Sequence, residues 1–416
     1  MRLLVVGSGA REHALAWRLE LEGAAVLSAP GNGGTPNNRG VSADDLDRLA
    51  ELAARERVDL TLVGPEAPLA AGLVNLFSAR GLLAFGPTQA AARIESSKSW
   101  AKDLFRRHGI PTGAAEVVES EAAARQAIAR QGLPVVLKAD GLAGGKGVFV
   151  AHTAEQVEDA LDVLFRHRAL GAAAAQVLVE EYLEGPELSV LAFCDGERLS
   201  VMPPARDYKR VGDGDRGPNT GGMGGLARPS YATDDLLDEV RRTILEPTLA
   251  GLAAEGCPYR GVLYAGLMLT AAGPRVLEFN CRFGDPEGEL ILPLLESSLS
   301  EVCLQVIEGR LEPERVRWAT GRTYGVVLAA PGYPQAPRLG EPIAGLDQLP
   351  PGVLAFHAGT AWRDGRLVTA GGRVLTLVSA SREAVYAAAE AVQFAGKHYR
   401  TDIGLEPVAS PARSGR

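Results

Sequence analysis

The run Glu278-Phe279-Asn280-Cys281-Arg282-Phe283-Gly284-Asp285-Pro286-Glu287 puts four acidic or amide side chains and one guanidinium into ten residues, more than a solvated strand end needs. It opens as a strand over residues 275–280, with alternating character. Strand side chains alternate with period two, so Leu277 and Phe279 are predicted on one face and Glu278 and Asn280 on the other. A carboxylate and an amide oxygen then stand roughly 6–7 Å apart along the chain. Oxygen donors of this kind suit a hard cation such as Mg²⁺, which completes its shell with water and substrate phosphates. Asp285 and Glu287 follow directly, with Arg282 between the acids.

A second candidate is Lys138-Ala139-Asp140-Gly141-Leu142-Ala143-Gly144-Gly145-Lys146-Gly147. Val135, Val136 and Leu137 form a strand with Lys138 at its end. The four glycines let backbone N–H groups approach phosphate oxygens, and the two lysines supply point charge. The P-loop pattern G-x-x-x-x-G-K-[ST] is absent. A flexible hairpin is the competing reading, and it leaves both lysines without a role. Residues 179–187 carry acids where a strand leaves the core. A carboxylate there could accept ribose hydroxyls, and the strand edge could read adenine; a solvated acidic turn is the alternative. Residues 206–224 mix both charges with six glycines, the composition of a folded loop gripping a polar ligand.

Gly7-x-Gly9, after a strand and before a helix, is a candidate anion site, because helix N-termini present free N–H groups. A dinucleotide fingerprint would want Gly or Ala where Glu12 stands, which favours a phosphorylated small molecule over NAD. A plain tight turn explains this segment equally well. Gly64-Pro65-Glu66 ends a later strand of the same sheet, and ligands collect at the carboxyl ends of such strands. His13 reads as a helix residue with a local bond.

These groups need a scaffold. Apolar strands at residues 3–6, 24–29, 59–63 and 82–85 alternate with helices near 44–57 and 67–80, which indicates a parallel sheet covered on both faces. That domain is predicted to end near 88–95. A basic helix starts at Ser97. A helix near 121–131, strands at 135–139 and 148–152, a helix at 154–165 and strands at 177–183 and 187–193 come next. After the loop at 206–225, a helix at 234–254 and strands at 261–270 and 275–280 lead back to the acidic run. Beyond about Arg322, strands at 324–329, 353–357 and 373–378, Pro/Gly turns and a helix at 382–393 predict a small α+β domain.

At 416 residues, two to four domains are expected. The 46% apolar and 23% charged fractions are those of a soluble globular protein. A net charge of −8 argues against a nucleic-acid partner held through phosphates. The four cysteines are scattered, with no C-x-x-C, and read as reduced residues of a cytosolic protein. The apolar run at 1–6 ends at Gly7, too soon for a signal peptide or membrane helix.

Taken together, the basic helix, K-A-D-G-L-A-G-G-K-G, E-E-Y-L-E-G-P-E and E-F-N-C-R-F-G-D-P-E stand in the order of an ATP-grasp enzyme. With G-S-G-A-R-E-H-A, A-P-G-N-G-G-T, G-P-E-A-P-L, G-P-N-T-G-G-M-G and F-H-A-G-T, the chain resembles the phosphoribosylamine–glycine ligase (glycinamide ribonucleotide synthetase) family from Met1 to about Gly404. The resemblance implies an α/β and α+β multidomain fold. It would comprise an N-terminal parallel α/β substrate-binding domain (1–95), an ATP-grasp domain of two subdomains (96–320, with a flexible lid at about 115–185) and a small C-terminal α+β domain (321–416). It implies ATP-dependent ligation of glycine to 5-phosphoribosylamine through glycyl phosphate, in de novo purine biosynthesis, by a cytoplasmic monomer with no nucleic-acid or membrane partner.

Residue by residue, the resemblance makes Glu278 and Asn280 the ligands of Mg²⁺ or Mn²⁺. Lys102, Lys138 and Lys146, with Gly144, Gly145 and Gly147, would surround the nucleotide phosphates. Glu180, Glu181 and Leu183 would read adenine, and Glu187 would hold ribose. Arg282 and Lys146 would be catalytic. Gly9, Ala10, Arg11, Glu12, Glu66, Asp207, Lys209, Asn219, Thr220, Gly221, Gly222, Met223, Arg282, Asp285 and Glu287 would contact glycine or phosphoribosylamine. Two places depart from the family pattern. Gly288-Glu289 stand where it has Thr-Gln, and Gly-Leu-Ala-Arg follows Gly224 in place of Ala-Tyr-Ser. A negative charge at Glu289 in place of a neutral amide could change substrate or metal affinity, but neither departure touches the metal pair or the phosphate loop, so activity is still expected. Competing readings are a sister ATP-grasp carboxylase or ligase, a non-catalytic nucleotide-binding regulator, and an NAD-dependent dehydrogenase.

Overall fold

The computed structural model describes residues 1–144, 146–167 and 169–405. The first layer holds β1 (Arg2–Gly7), α1 (Ala10–Leu21), β2 (Ala25–Pro30), α2 (Leu46–Glu56), β3 (Leu60–Val63), α3 (Glu66–Ala70), α4 (Leu73–Ala79) and β4 (Ala84–Phe85). Its strands pair in parallel in the order β2-β1-β3-β4. Leu3, Leu4, Val5 and Val6 are fully buried, as a sheet covered on both faces requires. The single helix predicted at 67–80 is two helices, because Gly72 takes φ +92° between them.

Next come α5 (Gln89–Ser96) and α6 (Lys98–His108). Ser97 caps α6 by accepting from the Trp100 amide, and Gly109 ends it with φ +66°. A four-stranded antiparallel sheet follows, in the order β5-β8-β6-β7: β5 (Ala115–Val118), β6 (Val135–Ala139), β7 (Val148–Ala151) and β8 (Val177–Glu181), with α7 (Glu121–Gln131) and α8 (Ala154–Leu161). Strand alternation divides it: Val135, Leu137 and Ala139 pack with the two helices, while Val136 and Lys138 face a cleft.

The opposite wall is a nine-stranded sheet, in the order β16-β15-β9-β11-β14-β17-β21-β18 with β10 paired to β9. It contains β9 (Glu187–Asp195), β10 (Leu199–Val201), β11 (Ala205–Asp207), β14 (Gly224–Ala227), β15 (Arg260–Thr270), β16 (Gly273–Asn280), β17 (Tyr324–Ala329), β18 (Leu354–His357) and β21 (Arg373–Ser379). The segment 206–225, predicted as loop, is therefore partly strand. Between β11 and β14 it also forms a separate hairpin, β12 (Arg210–Gly212) and β13 (Arg216–Asn219). A second small hairpin, β19 (Thr360–Arg363) and β20 (Arg366–Thr369), was not predicted. Helices α9 (Asp234–Val240) and α10 (Glu246–Ala254), joined by a π-helical turn at Arg241–Leu245, pack with one face of β9, α11 (Glu287–Ile291) and α12 (Leu299–Glu308) with the other, and α13 (Arg382–Ala391) with β17 and β21. The sheet is continuous from β16 to β18, so strands after residue 320 extend the one that carries the acidic run. No described helix is long and apolar enough to cross a membrane.

Candidate active site

Strand β16 carries the acidic run, and its register slips by one residue against β15: Gly266 pairs with Glu278 but Leu267 with Val276. Leu277 is the extra residue of this bulge. Strict alternation from Leu277 to Phe279 therefore fails, since Val276 and Phe279 are buried while Leu277 is half-buried. Beyond the bulge, Glu278 and Asn280 both line the cleft, as predicted.

The cleft holds about 740 Å³ between the lid sheet and the nine-stranded sheet. On its lid side, Lys138 Nζ lies 2.8 Å from Glu180 and donates to the Leu277 carbonyl at 3.0 Å. Lys102, from α6, donates to Thr112 Oγ1 at 2.7 Å and stands 3.5 Å from the same Glu180 carboxylate. Burial lowers the Lys102 pKa to about 8, against the pull of Glu180. One oxygen of Glu180, Oε1, is buried without a partner. Glu181, Leu183, Gly144 and Gly147 also line the cleft, as does Glu187 from β9 of the opposite sheet. Lys146 is not among the lining residues; its amide closes a turn on the Ala143 carbonyl. Gly145 lies outside the described residues.

At the opposite end Arg282 is held from three elements: Nε bonds Glu66 at 3.3 Å, and Nη2 bonds Glu95 and Asn280 Oδ1, each at 3.0 Å. Arg282 and Arg11 together hold the Glu66 carboxyl below its usual range although burial pushes the other way. Burial likewise pushes Glu278 up, yet Lys209, Lys138 and Lys98 outweigh it and keep the carboxylate low and charged.

The third side is segment 206–225. Lys209 pairs with Glu187 at 2.6 Å. Asp207 Oδ1 is buried without a partner, and burial plus the neighbouring Glu287 push its pKa well up. Asn219, Thr220, Gly221, Asp285 and Glu287 also line the cleft. Glu287, however, is 2% exposed and accepts from Tyr264 at 2.6 Å and Ser189 at 2.9 Å, which anchors the floor. Arg373 bonds Asp285 Oδ1 at 2.9 Å.

Several predicted residues stand behind the cleft. Glu12 turns back to accept from the Gly9 amide and pairs with Arg11, so the first helix N-terminus is satisfied by the chain's own carboxylate. Gly9, Ala10, Glu12, Gly222 and the fully buried Met223 do not line the cleft, while Arg11 does. Sequence reasoning missed Lys98, Glu95, Tyr264 and Arg373, which all line it. Lys98 and Glu95 sit in and beside the basic helix, where charge near Lys102 was a usable signal. Arg373 had none, being 88 residues from Asp285. Glu289 is also corrected: it is fully buried, both carboxylate oxygens lack partners, and burial beside Asp285 raises its pKa well above normal. Burial and the Asp285 carboxylate thus both disfavour the negative charge that the sequence led one to expect at Glu289.

Glu278 and Asn280 supply two hard oxygens, one of them charged, on one side of a strand facing three lysines. No described group of three or more His, Cys, Asp or Glu forms a self-sufficient metal site. The donor set thus fits a divalent cation that takes most of its shell from phosphate and water.

Comparison with known proteins gives three family matches: phosphoribosylglycinamide synthetase N domain at residues 1–95, its ATP-grasp (A) domain at 96–288 and its C domain at 323–406. A phosphoribosylamine–glycine ligase of Ralstonia nicotianae is 47% identical, covering 97% of this chain and 99% of the relative. The trifunctional purine biosynthetic protein adenosine-3 of Gallus gallus is 46% identical over 99% of this chain and 43% of its own length. The crystal structure of phosphoribosylamine–glycine ligase from Thermotoga maritima superposes with TM-score 0.83 at 36% identity, covering 97% of this chain and 100% of that one. A biotin carboxylase domain from Hydrogenobacter thermophilus, at 17% identity and TM-score 0.70, shares the fold alone.

Proposed function

The chain belongs to the phosphoribosylglycinamide synthetase family, and from that premise we infer that its cleft ligates glycine to 5-phosphoribosylamine at the expense of ATP. The reaction forms a C–N bond in purine biosynthesis and releases ADP and phosphate. The observation that carries the assignment of the cleft is the meeting of Lys138, Lys102 and Glu180 with Glu278, Asn280 and Arg282 across one cavity.

In our reading the glycine carboxylate attacks the γ-phosphoryl group, ADP leaves, and the amine of phosphoribosylamine then displaces phosphate from the glycyl carbonyl and loses a proton. No side-chain nucleophile is needed, so catalysis is positioning and charge stabilisation. Lys138 and Lys102 hold nucleotide phosphates, and Glu180, Glu181 and Leu183 border the adenine. Arg282, fixed by Glu66, Glu95 and Asn280, stands ready for charge developing on the transferring phosphoryl group. Asp207 and Lys209 offer an acid and an ammonium to the amine and carboxylate of the substrates. Glu278 and Asn280 would hold Mg²⁺ or Mn²⁺, which when bound neutralises phosphate charge. The four free, buried cysteines support a reducing, cytoplasmic setting, and we read the enzyme as a monomer.

Phosphate release from ATP, measured with each substrate omitted in turn, tests the reaction; release that does not need glycine would overturn it. Glu278→Ala should lose turnover at unchanged melting temperature, and an active variant would refute the metal assignment.

A further inference from the structure

The hairpin β12–β13 is a two-stranded sheet with no ladder to either large sheet. Such a hairpin is marginal by itself in water. Yet Arg210, Asp215 and Asn219 line the cleft, as do Asp207 and Lys209 just before it and Thr220 and Gly221 just after it. Something must hold it, and that is residues 398–404. His398 Nε2 lies 2.8 Å from the Val211 carbonyl. The Thr401 amide donates to Asp213 at 2.8 Å, and the Gly214 amide donates to Asp402 at 2.8 Å.

Arg400 is the centre of this contact. It is 1% exposed. Its guanidinium bonds the Arg210 carbonyl at 3.0 Å, Asp215 at 2.7 Å and both oxygens of Asp402, at 2.8 and 2.6 Å. It also stands 5.0 Å from the centroid of the Tyr208 ring, which Arg206 covers at 4.4 Å. Tyr208 is buried in the C-terminal core and its hydroxyl accepts from the Gly404 amide at 3.2 Å. Neighbours along an extended chain point to opposite sides. Holding Tyr208 in the core therefore turns Asp207 and Lys209 into the cleft.

We propose that Arg400 is a positioning residue for the non-nucleotide substrates: through Tyr208, Asp215 and the Arg210 carbonyl it fixes the hairpin that presents Asp207, Lys209 and Asn219. The proposal rests on the substrate role given above to Asp207 and Lys209. A lysine cannot reproduce its fork of bonds to three partners.

The test is steady-state kinetics of Arg400→Lys, with KM for glycine, phosphoribosylamine and ATP measured separately and the melting temperature alongside. KM for glycine or phosphoribosylamine should rise on the order of tenfold to a hundredfold, the scale of a displaced positioning group, while KM for ATP, reached only through the Lys209–Glu187 pair, changes less. Equal loss toward all three substrates, or no loss toward any, overturns the proposal. If Arg400→Lys does not fold, Asp213→Ala, which removes the acceptor of the Thr401 amide and lies outside the cleft lining, is read by the same two outcomes. Lys209→Ala separates the two levels. No effect of Lys209→Ala on either substrate defeats the substrate reading of this segment; an effect there but none in the Arg400 and hairpin variants defeats only the clamp.

Discussion

Lys138 donates a hydrogen bond to the backbone carbonyl of Leu277 at 3.0 Å, joining the lid sheet to the strand that bears Glu278 and Asn280. Leu277 is the bulged residue of β16, and a bulged residue is left out of the strand ladder. The irregularity that breaks the alternation thus supplies the acceptor that ties Lys138 to the strand bearing Glu278. The ammonium is pinned by this bond and by Glu180, so little side-chain freedom is left to lose if it binds a ligand.

Lys138→Met removes both contacts and leaves Glu180 with Lys102 alone, at 3.5 Å. ATP affinity should fall at least about tenfold, or about 1.4 kcal/mol. Titration with a non-hydrolysable ATP analogue checks this, and unchanged affinity would remove Lys138 from the nucleotide site.

Lys102 titrates near pH 8 because it is buried. Below that pH it is an ammonium and can pair with phosphate; above it the free enzyme must take up a proton to do so. ATP affinity should therefore decline as pH rises through 8, with proton uptake on binding, seen as calorimetric heats that vary with buffer ionisation enthalpy. Lys102→Met should bind more weakly and lose this dependence.

Glu289 ionises in the unfolded chain near the ordinary carboxylate value, whereas burial and the neighbouring Asp285 push its pKa well up in the fold. A raised acid costs stability as pH climbs above the unfolded value and costs nothing below it. Glu289→Gln removes the ionisation and can donate to Asp285. The variant should gain about 1–3 kcal/mol at pH 7 and nothing at pH 4. Denaturant titration at both pH values decides; equal gain at both would mean that ionisation is not the cause.

Half-buried His13 packs against buried His357, with Nδ1 of His13 accepting from the His357 amide at 2.8 Å and ring centroids 5.3 Å apart. Burial, with the His357 charge added, lowers His13 to about 3, and burial lowers His357 to about 4. The unfolded chain protonates both from about pH 6.5 downward while the fold refuses. Stability is therefore full above that value and lost as pH falls toward 4, at about 2 kcal/mol per histidine by pH 5. Urea midpoints between pH 7 and 5 should show the decline, and His13→Gln should reduce its slope.

What local pattern controls was legible. The apolar strands of β1 to β3, the glycine loop after Lys138 and the shared side of Glu278 and Asn280 follow from periodicities of two and 3.6 and from glycine's freedom, all properties of neighbours in sequence. The inward turn of Glu12 was not legible, since a carboxylate one helical turn past Gly9 can cap the helix as easily as repel a phosphate.

The amino-acid sequence by itself determined the inventory: lysines beside a glycine loop, a carboxylate and amide on one strand, and an arginine among acids. Only the tertiary structure decided which of them meet. Lys138 finds Leu277 across 139 positions, Arg282 finds Glu95 across 187 and Arg400 finds Asp215 across 185. Those pairs depend on sheet order, on a one-residue bulge and on the docking of residues 398–404 against a hairpin. Burial then moved the Lys102 pKa down and those of Asp207 and Glu289 up. Such contacts leave no period in the chain, because they arise from close packing between segments far apart in sequence.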